Sequence, residues 1–458
     1  MLKGKRILIG VFFIAMGLRI ALAIVNRSAN DNHIDVINLI VDKKIIPEKN
    51  QCWSCYQPKL YYLITSGVIK MFHYGMQYKR IIASQMLNVL FAFFILLLIW
   101  KFLEKQSIGR NTRLLIFSFF ALNPCLAAIN IQNTNDTLGI LCGTAALFFA
   151  DSFFRRFSKS DFTWMTISVI AGCLTKATGL IYFAVIMCFF VLKIIVQNEN
   201  HKRSLLAKYG FIFILCFFLV VPFAGGYYGN YKKYNSLTLS TWDKDAPPLF
   251  FTPTYIFRPG VEDMFHSWFT FRYFDLIRQP YVTNGPDNYP IHRTSLWSQL
   301  YGRTMFLHFD QWPKEWQTDS PYIIVVGRIL MILGIIPLFI FLRGGFIRLK
   351  NFLIGIRKGS RKYLIADVDY LHLMAASAFL LSSVYYSYSF RDFSAMKSIY
   401  IFPGMISFLK LFSDGYGAFR NRRIIAVTNA ILILICLLFI YDLGFLLTQY
   451  LFGHYFVK

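Results

Sequence analysis

A small set of ionisable side chains interrupts the long apolar stretches of this 458-residue sequence. The acidic members are Asp31, Asp35 and Asp136, and a carboxylate within hydrogen-bond reach of a hydroxyl can act as a general base. The basic members include Arg391 and Lys397, and such side chains bind phosphate through charge-assisted hydrogen bonds. Such residue types can serve acid–base chemistry and can bind a phosphate group, so these positions are the candidates for a functional site.

Each of these polar residues also has a structural alternative. Asn32 can cap a helix with Asp35 at the third helical position, while Asp31 complements the helix dipole. Because capping requires only one of the two carboxylates, the pair favours a functional role. Asn135–Asp136 can cap a helix, and Lys176 can extend to a membrane interface. Those two alternatives stay open.

The composition is that of a membrane protein. Hydrophobic residues make up 56% of the chain and charged residues only 16%. These values exclude a disordered chain, a coiled coil, a secreted disulfide scaffold and a water-soluble nucleic-acid-binding protein. The sequence contains about eleven stretches, within a range of about ten to thirteen, that approach the roughly 20 apolar residues of a spanning helix. We therefore expect an all-α polytopic fold in one membrane-embedded domain, residues 1–458.

The first apolar stretch is longer than the apolar core of a signal peptide and has no convincing cleavage site, so we expect a retained helix. The predicted spans are Ile7–Val25, Ile82–Trp100, Leu114–Ala128, Thr137–Ala150, Phe162–Leu174, Gly179–Leu192, Phe211–Gly225, Tyr322–Phe341, Tyr370–Tyr386, Ser398–Leu409 and Ile424–Leu447.

Lys and Arg concentrate in alternate loops, which predicts the orientation of the spans. With the amino terminus in the cytoplasm, the basic loops are the inner ones. The formal charge of +25 then follows from topology and attraction to anionic lipid, and no nucleic acid is needed. Two long segments, 26–80 and 227–321, lie outside. The first contains an amphipathic helix that we expect on the outer membrane surface, and the second is rich in aromatic residues.

Under this topology the polar residues fall on the outer face, where basic residues are disfavoured. Arg391 and Lys397 therefore favour a phosphate-binding role. Carboxylates and cations that reach one face from distant positions predict a single extracytoplasmic site.

Cys52 and Cys55 lie in a loop, whereas the other six of the eight cysteines lie in or beside predicted spans. A lone Cys-x2-Cys pair disfavours a zinc site and favours a local disulfide on an oxidising face. The sequence has no Walker-type phosphate loop, dinucleotide fingerprint or His-Glu-x2-His helix. This counts against ATP-driven pumps, nicotinamide enzymes and zincin proteases.

The first outer segment resembles that of GT-C glycosyltransferases, in the branch related to protein O-mannosyltransferases and aminoarabinose transferases. In that branch an acidic residue precedes a surface helix and a Gln-Pro-Pro-Leu-Tyr-Tyr stretch follows; here these are Asp31–Asp35 and Gln57–Tyr62. The chain departs from the family in having Lys59 at the second Pro, and it has Asp31–Asn32 in place of an Asp-Glu doublet. Whether Asp31 or Asp35 would be the base therefore stays open.

Four further segments resemble the family in the same order. They are Asn123–Pro124 with Asn135–Asp136, then Gly172–Lys176, Arg293–Trp297 and Lys397–Pro403. Each motif alone is weak, but together they run in order along the predicted outer face and cover most of the chain.

The resemblance implies a GT-C-like fold and transfer of a sugar, with inversion, from a polyprenyl-phosphate donor to a lipid, glycan or protein acceptor on the outer side. It implies Asp31 as the base with Asp35 in reserve. The donor phosphate would be bound by Arg391, Lys397 and Lys176. Substrate-binding roles fall on His33, Gln57, Tyr61, Asn135, Asp136, Arg293 and Trp297. No cofactor is specified, and a divalent cation at Asp136 stays open.

Two other functions are compatible with these residues. A transporter or flippase of lipid-linked sugars would place charges through the membrane and often shows repeats, whereas this sequence has its charges mostly on one face and no repeat. The sequence does not distinguish a polyprenyl-phosphate-dependent transferase from an oligosaccharide ligase or polymerase that uses a lipid-diphosphate donor. The sequons Asn26–Ser28 and Asn135–Thr137 on the predicted outer face favour a bacterial inner membrane over the endoplasmic reticulum, which would be the location in a eukaryote.

Overall fold

The chain is helical throughout the part that the structure, a computed structural model, describes. The described residues are 2–28, 33–239, 268–280, 295–308, 320–357, 368–389 and 398–456. In the first half the helices are α1 (Leu2–Val25), α2 (His33–Asp42), α3 (Leu60–Met71), α4 (Gln77–Glu104), α5 (Arg110–Ala121), α6 (Pro124–Asn130), α7 (Asp136–Arg156), α8 (Lys159–Thr175), α9 (Gly179–Val196) and α10 (Asn200–Ala224). In the second half they are α11 (Tyr227–Tyr234), α12 (Tyr273–Arg278), α13 (Leu296–Met305), α14 (Pro321–Leu333), α15 (Ile335–Arg357), α16 (Asp369–Ser389), α17 (Met405–Gly417) and α18 (Arg422–Phe456).

Seven helical segments among the described residues are long and apolar enough to cross a membrane, or eight if one bent pair counts as a single span. They begin with Arg6–Val25 and end with Arg422–Phe452. This confirms the predicted all-helical membrane character. The predicted number of about eleven spans is not confirmed.

The predicted span Leu114–Ala128 is interrupted. The helix stops at Ala121 and restarts at Pro124, and the two axes differ by 55°. Proline has no N–H to continue the ladder and is favoured in the first helical turn. The Asn123 side chain caps the second helix by accepting the Leu126 N–H at 2.9 Å. The predicted span is therefore a bent pair of helices, which can still count as one span.

Two other predicted spans have different boundaries in the structure. Within Tyr322–Phe341 the helix is interrupted at Gly334, between α14 and α15. Ser398–Leu409 is not a single helix: two 3₁₀ turns, Ser398–Tyr400 and Phe402–Gly404, precede α17. Pro403 accounts for the second change, because its ring prevents a regular helix from passing through it.

Arg19 of α1 holds the bent helix pair in place. Its side chain is fully buried and donates to the Ala121 carbonyl at the end of α5 at 2.8 Å and to Asn130 Oδ1 at the end of α6 at 3.1 Å. A third bond, 3.0 Å, goes to the carbonyl of Ala15 one turn earlier. The last carbonyls of a helix have no partner in the helix, and a cation there also complements the dipole.

Helix α7 lies at the centre of the bundle, and 89% of its apolar 18-residue stretch is buried. It packs against α8 and α4 and against the Phe402–Gly404 turn. A Cβ on Gly143 would lie only 2.5 Å from the Pro403 carbonyl oxygen, so this close approach requires glycine. We call the end of the bundle where α1 ends and α7 begins the upper end, and the opposite end the lower end.

A buried charge cluster joins four helices at the lower end. Asp369 of α16 accepts from Arg155 of α7 at 2.7 Å, Arg348 of α15 at 2.6 Å and Lys410 of α17 at 2.8 Å. Arg155 also bonds to Asp151 at 2.9 Å. Because a buried charge is tolerated only when it is paired, this cluster fixes how these helices meet.

We predict that Arg19→Lys lowers the free energy of unfolding by about 2–3 kcal/mol, the range of one or two hydrogen bonds to a charged group. Lysine keeps the charge but cannot reach the three acceptors with the geometry of the guanidinium. Thermal unfolding of the purified protein measures the change. Arg6→Lys, at an exposed position of the same helix, is the control. Equal melting temperatures for the two variants would contradict this role of Arg19.

Candidate functional site

Asp136 and Lys176 form an ion pair at the upper end, where α7 begins and α8 ends. Both side chains are largely buried, with 13% and 19% of their surface exposed. Lys176 Nζ donates to one carboxylate oxygen of Asp136, and the Thr134 hydroxyl donates to the other at 2.6 Å. The antiparallel packing of α7 against α8 thus fixes a carboxylate and an ammonium group side by side.

This ion pair lines a narrow crevice. Its other walls are Gly139 of α7, Thr178 just before α9, and three residues of the two 3₁₀ turns, Ile399, Tyr400 and Pro403. The Tyr400 ring centroid lies 5.2 Å from Lys176 Nζ, within the range of a cation–π contact. A crevice with this lining can donate hydrogen bonds from an ammonium group and accept them at a carboxylate.

Asn135 connects the crevice to the loop before α3. Its Nδ2 donates to Gln57 Oε1 at 2.5 Å and to the Thr175 carbonyl at 2.8 Å. Asn135 and Gln57 are both buried. The amide therefore fixes the end of α8, and with it Lys176, relative to the start of α7.

Asn88 of α4 holds the irregular segment that leads into α7. Its Nδ2 donates to the carbonyls of Gln132 and Thr134 at 2.7 and 2.9 Å and to the Tyr61 hydroxyl at 3.2 Å. Tyr61 in turn lies 3.5 Å from Asn133 Oδ1. Burial raises the pKa of Tyr61 above its ordinary value, so its hydroxyl stays protonated.

His33 opens α2 beside this network. It is buried, and its Nδ1 lies 2.6 Å from the Tyr62 hydroxyl with the two rings stacked. Asp35, two residues along, is exposed, yet partial desolvation raises the pKa of its carboxyl.

An ion pair attaches the other end of α2 to α4. Arg80 donates to both Asp42 oxygens at 2.7 and 2.8 Å and to Asn38 Oδ1 at 2.8 Å. The hydrogen bonds and charge of Arg80 lower the pKa of Asp42. The bidentate geometry orients α2 and so fixes where His33 and Asp35 lie.

Cys52 and Cys55 form a disulfide, as predicted. Gln57 lies two residues after Cys55, and its N–H donates to the Ser54 carbonyl inside the disulfide loop at 3.2 Å. Lys59 Nζ donates to the Cys55 carbonyl. Burial lowers the pKa of Lys59 to about 8. Lys59 is therefore a half-buried amine close to the loop that carries Gln57.

Helix α13 borders the same region. It packs against α6 and against the Ser398–Tyr400 turn. Asn123 Nδ2 donates to the Thr304 carbonyl at 2.8 Å, and Cys125 Sγ lies 3.3 Å from Ser398 Oγ. Arg303 of α13 is also buried.

The structure brings together six of the predicted site residues around the crevice and its supports: His33, Gln57, Tyr61, Asn135, Asp136 and Lys176. Asp35 lies nearby on the exposed face of α2. Trp297 donates its ring N–H to the Trp268 carbonyl at 2.6 Å and packs in a small apolar cluster. Four predicted residues lie outside the described residues: Asp31, Arg293, Arg391 and Lys397.

Sequence reasoning missed several polar residues here, among them Asn88, Thr134, Arg303 and Gln299. Asn88 had a usable signal, because it is an amide within the apolar stretch of α4. Arg303 and Gln299 stand four residues apart, which places them on one helical face.

The described residues contain no group of three or more His, Cys, Asp or Glu side chains that could hold a metal ion. Asp136, the residue considered for a divalent cation, has Lys176 and Thr134 as its bonded neighbours. These partners suit hydrogen bonding to a substrate better than metal coordination.

We predict that Asp136 and Lys176 are energetically coupled. Asp136→Asn and Lys176→Met each leave one partly buried charge unpaired and should destabilise the protein, whereas the double variant should recover about 1–2 kcal/mol. The exposed pair Lys101–Glu104 is the matched control, and its coupling should stay below about 0.5 kcal/mol. Thermal unfolding of both mutant cycles measures the difference. Equal coupling in the two cycles would mean that the Asp136–Lys176 pair behaves as a surface pair.

We also predict that reducing the Cys52–Cys55 disulfide lowers the free energy of unfolding by about 2 kcal/mol, as expected from the entropy of closing a short loop. The measurement is unfolding of the wild type with and without dithiothreitol. Cys52→Ser/Cys55→Ser should show the lower stability already and should not respond to the reductant. A response of that double variant would assign the effect to another cysteine.

No family model and no curated protein matches the sequence. Among solved structures, the chain is similar to ArnT from Cupriavidus metallidurans bound to undecaprenyl phosphate. The two chains share 10% identity with a TM-score of 0.33, and the match covers 90% of this chain and 77% of that one. A TM-score at this level does not establish a shared fold.

Proposed function

We propose that the chain is a GT-C-type glycosyltransferase that moves a sugar from a polyprenyl-phosphate donor to an acceptor on the outer side of a membrane. The main support is that sequence segments which resemble GT-C glycosyltransferases contact one another in the fold. Gln57 bonds to Asn135, Asp136 bonds to Lys176, and Tyr400 stacks over Lys176. These residues come from four of the segments that resemble the family, and they lie up to 343 positions apart, from 57 to 400.

The chemistry assigned to these residues is a direct displacement. The acceptor hydroxyl attacks the anomeric carbon, a bond forms to the acceptor oxygen, and the bond to the carrier phosphate oxygen breaks. The proton of the hydroxyl passes to a carboxylate, Asp31 or Asp35, and the electron pair of the broken bond stays on the phosphate. Attack opposite the leaving phosphate inverts the anomeric centre.

The remaining roles follow from charge. Arg391, Lys397 and Lys176 would neutralise the charge that develops on the leaving phosphate. Because the Lys176 ammonium is paired with the Asp136 carboxylate, the two charges form a dipole, and the ammonium end of that dipole would bind the phosphate. His33, Gln57, Tyr61, Asn135, Asp136, Arg293 and Trp297 would bind or orient the substrates. The amino terminus would be cytoplasmic and the site extracytoplasmic, in a bacterial inner membrane, or in the endoplasmic reticulum of a eukaryote.

The test is donor consumption by the purified protein in nanodiscs. A panel of polyprenyl-phosphate sugars with candidate acceptors is incubated, and released polyprenyl phosphate is measured for wild type, Asp31→Asn and Asp35→Asn. Loss of the base should slow release by about 10²–10⁴-fold. Glu48→Gln is the control, because it removes an exposed carboxylate of the same outer segment that pairs with Lys233 and has no role in the proposed site. Binding and vesicle crossing of a carrier without its consumption would instead support a flippase.

The pH dependence distinguishes the two candidate bases. A general base works when it is deprotonated, so kcat/KM is retained above its pKa and lost as the pH falls through it. If Asp35 is the base, desolvation should move this loss to a pH above the ordinary aspartate value of about 4. If the loss of kcat/KM at low pH is unchanged in Asp35→Asn, the general base would be Asp31.

A further inference from the structure

Gln299 of α13 is a buried carboxamide with no hydrogen-bond partner for either of its polar atoms. Its exposed surface is 0%. The other buried carboxamides with an unpartnered atom among the described residues, such as Asn88 and Asn135, each make at least one hydrogen bond. Gln299 therefore differs from its counterparts elsewhere in the described bundle.

A buried amide that makes no hydrogen bond costs folding free energy, because it loses its bonds to water and gains none in the protein. Leucine at this position would fill nearly the same space without that cost. A group retained at such a cost commonly serves a function, and here the unmade bonds are a donor and an acceptor.

The location connects Gln299 to the crevice. It lies in α13, which packs against the Ser398–Tyr400 turn. Ser398 begins the turn that continues to Tyr400 in the crevice wall. Gln299 thus belongs to a helix that packs against the wall of the crevice.

The chemistry of a carboxamide identifies the group that it would bind. The Nε2 donates and the Oε1 accepts. An ionised phosphate only accepts, so it would leave Oε1 without a partner. Hydroxyl groups both donate and accept, so neighbouring hydroxyls of a sugar ring satisfy both atoms.

We propose that Gln299 is a specificity residue that binds hydroxyl groups of the sugar on the lipid-linked donor. This inference rests on the proposed function. It assigns to Gln299 recognition of the sugar and not of the carrier phosphate.

The experiment compares binding of two probes, a polyprenyl-phosphate hexose and polyprenyl phosphate without a sugar, to wild type and Gln299→Leu in nanodiscs. We expect the variant to bind the hexose-loaded carrier at least tenfold more weakly and the bare carrier within twofold of wild type. Its melting temperature should equal or exceed that of wild type, because two unpartnered polar atoms are removed. Gln85→Leu is the matched control: its amide donates to the Ser28 carbonyl at 3.3 Å, so its loss should lower the melting temperature without selecting between the probes.

Three results would overturn the inference: an unchanged affinity for both probes, an equal loss for both, or no binding of the hexose-loaded carrier by wild type. A second readout uses a deoxygenated hexose on the same carrier. Wild type should discriminate against it, and Gln299→Leu should not. Selective binding without any release of polyprenyl phosphate would overturn the proposed transfer reaction and leave sugar recognition by Gln299 intact.

Discussion

Backbone groups inside a membrane protein have to be hydrogen-bonded wherever the chain leaves helical geometry, because no water reaches them there. At the upper end of this bundle several breaks meet, after α5, between α6 and α7, and after α8. Buried side chains satisfy them: Arg19 bonds to the Ala121 carbonyl, Asn88 to the carbonyls of Gln132 and Thr134, and Asn135 to that of Thr175. The amides that complete these backbone bonds also fix the positions of Asp136 and Lys176, so stability and site geometry have one physical cause.

Helix α7 carries charge at both of its ends and none between them. From Thr137 to Ala150 it has no charged residue, and the rise from Asp136 to Asp151 is about 22 Å at about 1.5 Å per residue. Asp136 pairs with α8 at the upper end, while Asp151 and Arg155 belong to the cluster at the lower end. The central helix therefore offers no continuous path of charges, which favours a site at one end over a route for ions or substrates along α7.

The sequence could predict the helices and several site residues because apolar length and motif order are local properties. Gln57, Asn135, Asp136 and Lys176 were selected in this way and do lie together, while their role as site residues stays a prediction. The pairing of Asp136 with Lys176, which are 40 positions apart, could not be predicted, because the sequence does not show how α7 and α8 pack against each other. The bend at Asn123–Pro124 had a local signal in the proline, but the apolar pattern continues through it and outweighed that signal. For Gln299 the sequence holds no signal, because whether its amide has a hydrogen-bond partner depends on the residues that surround it in the fold.

The two ends of the bundle satisfy their polar groups differently. At the lower end three carboxylates, of Asp151, Asp369 and Asp414, are paired with Arg155, Arg348 and Lys410. At the upper end, buried amide atoms of Asn88, Asn133, Asn135 and Gln299 have no partner in the structure. Each such atom costs about 1–3 kcal/mol, and a sequence selected for stability alone would replace it or pair it. A paired cluster at one end and unsatisfied amides at the other are expected when the first holds helices together and the second binds a polar ligand.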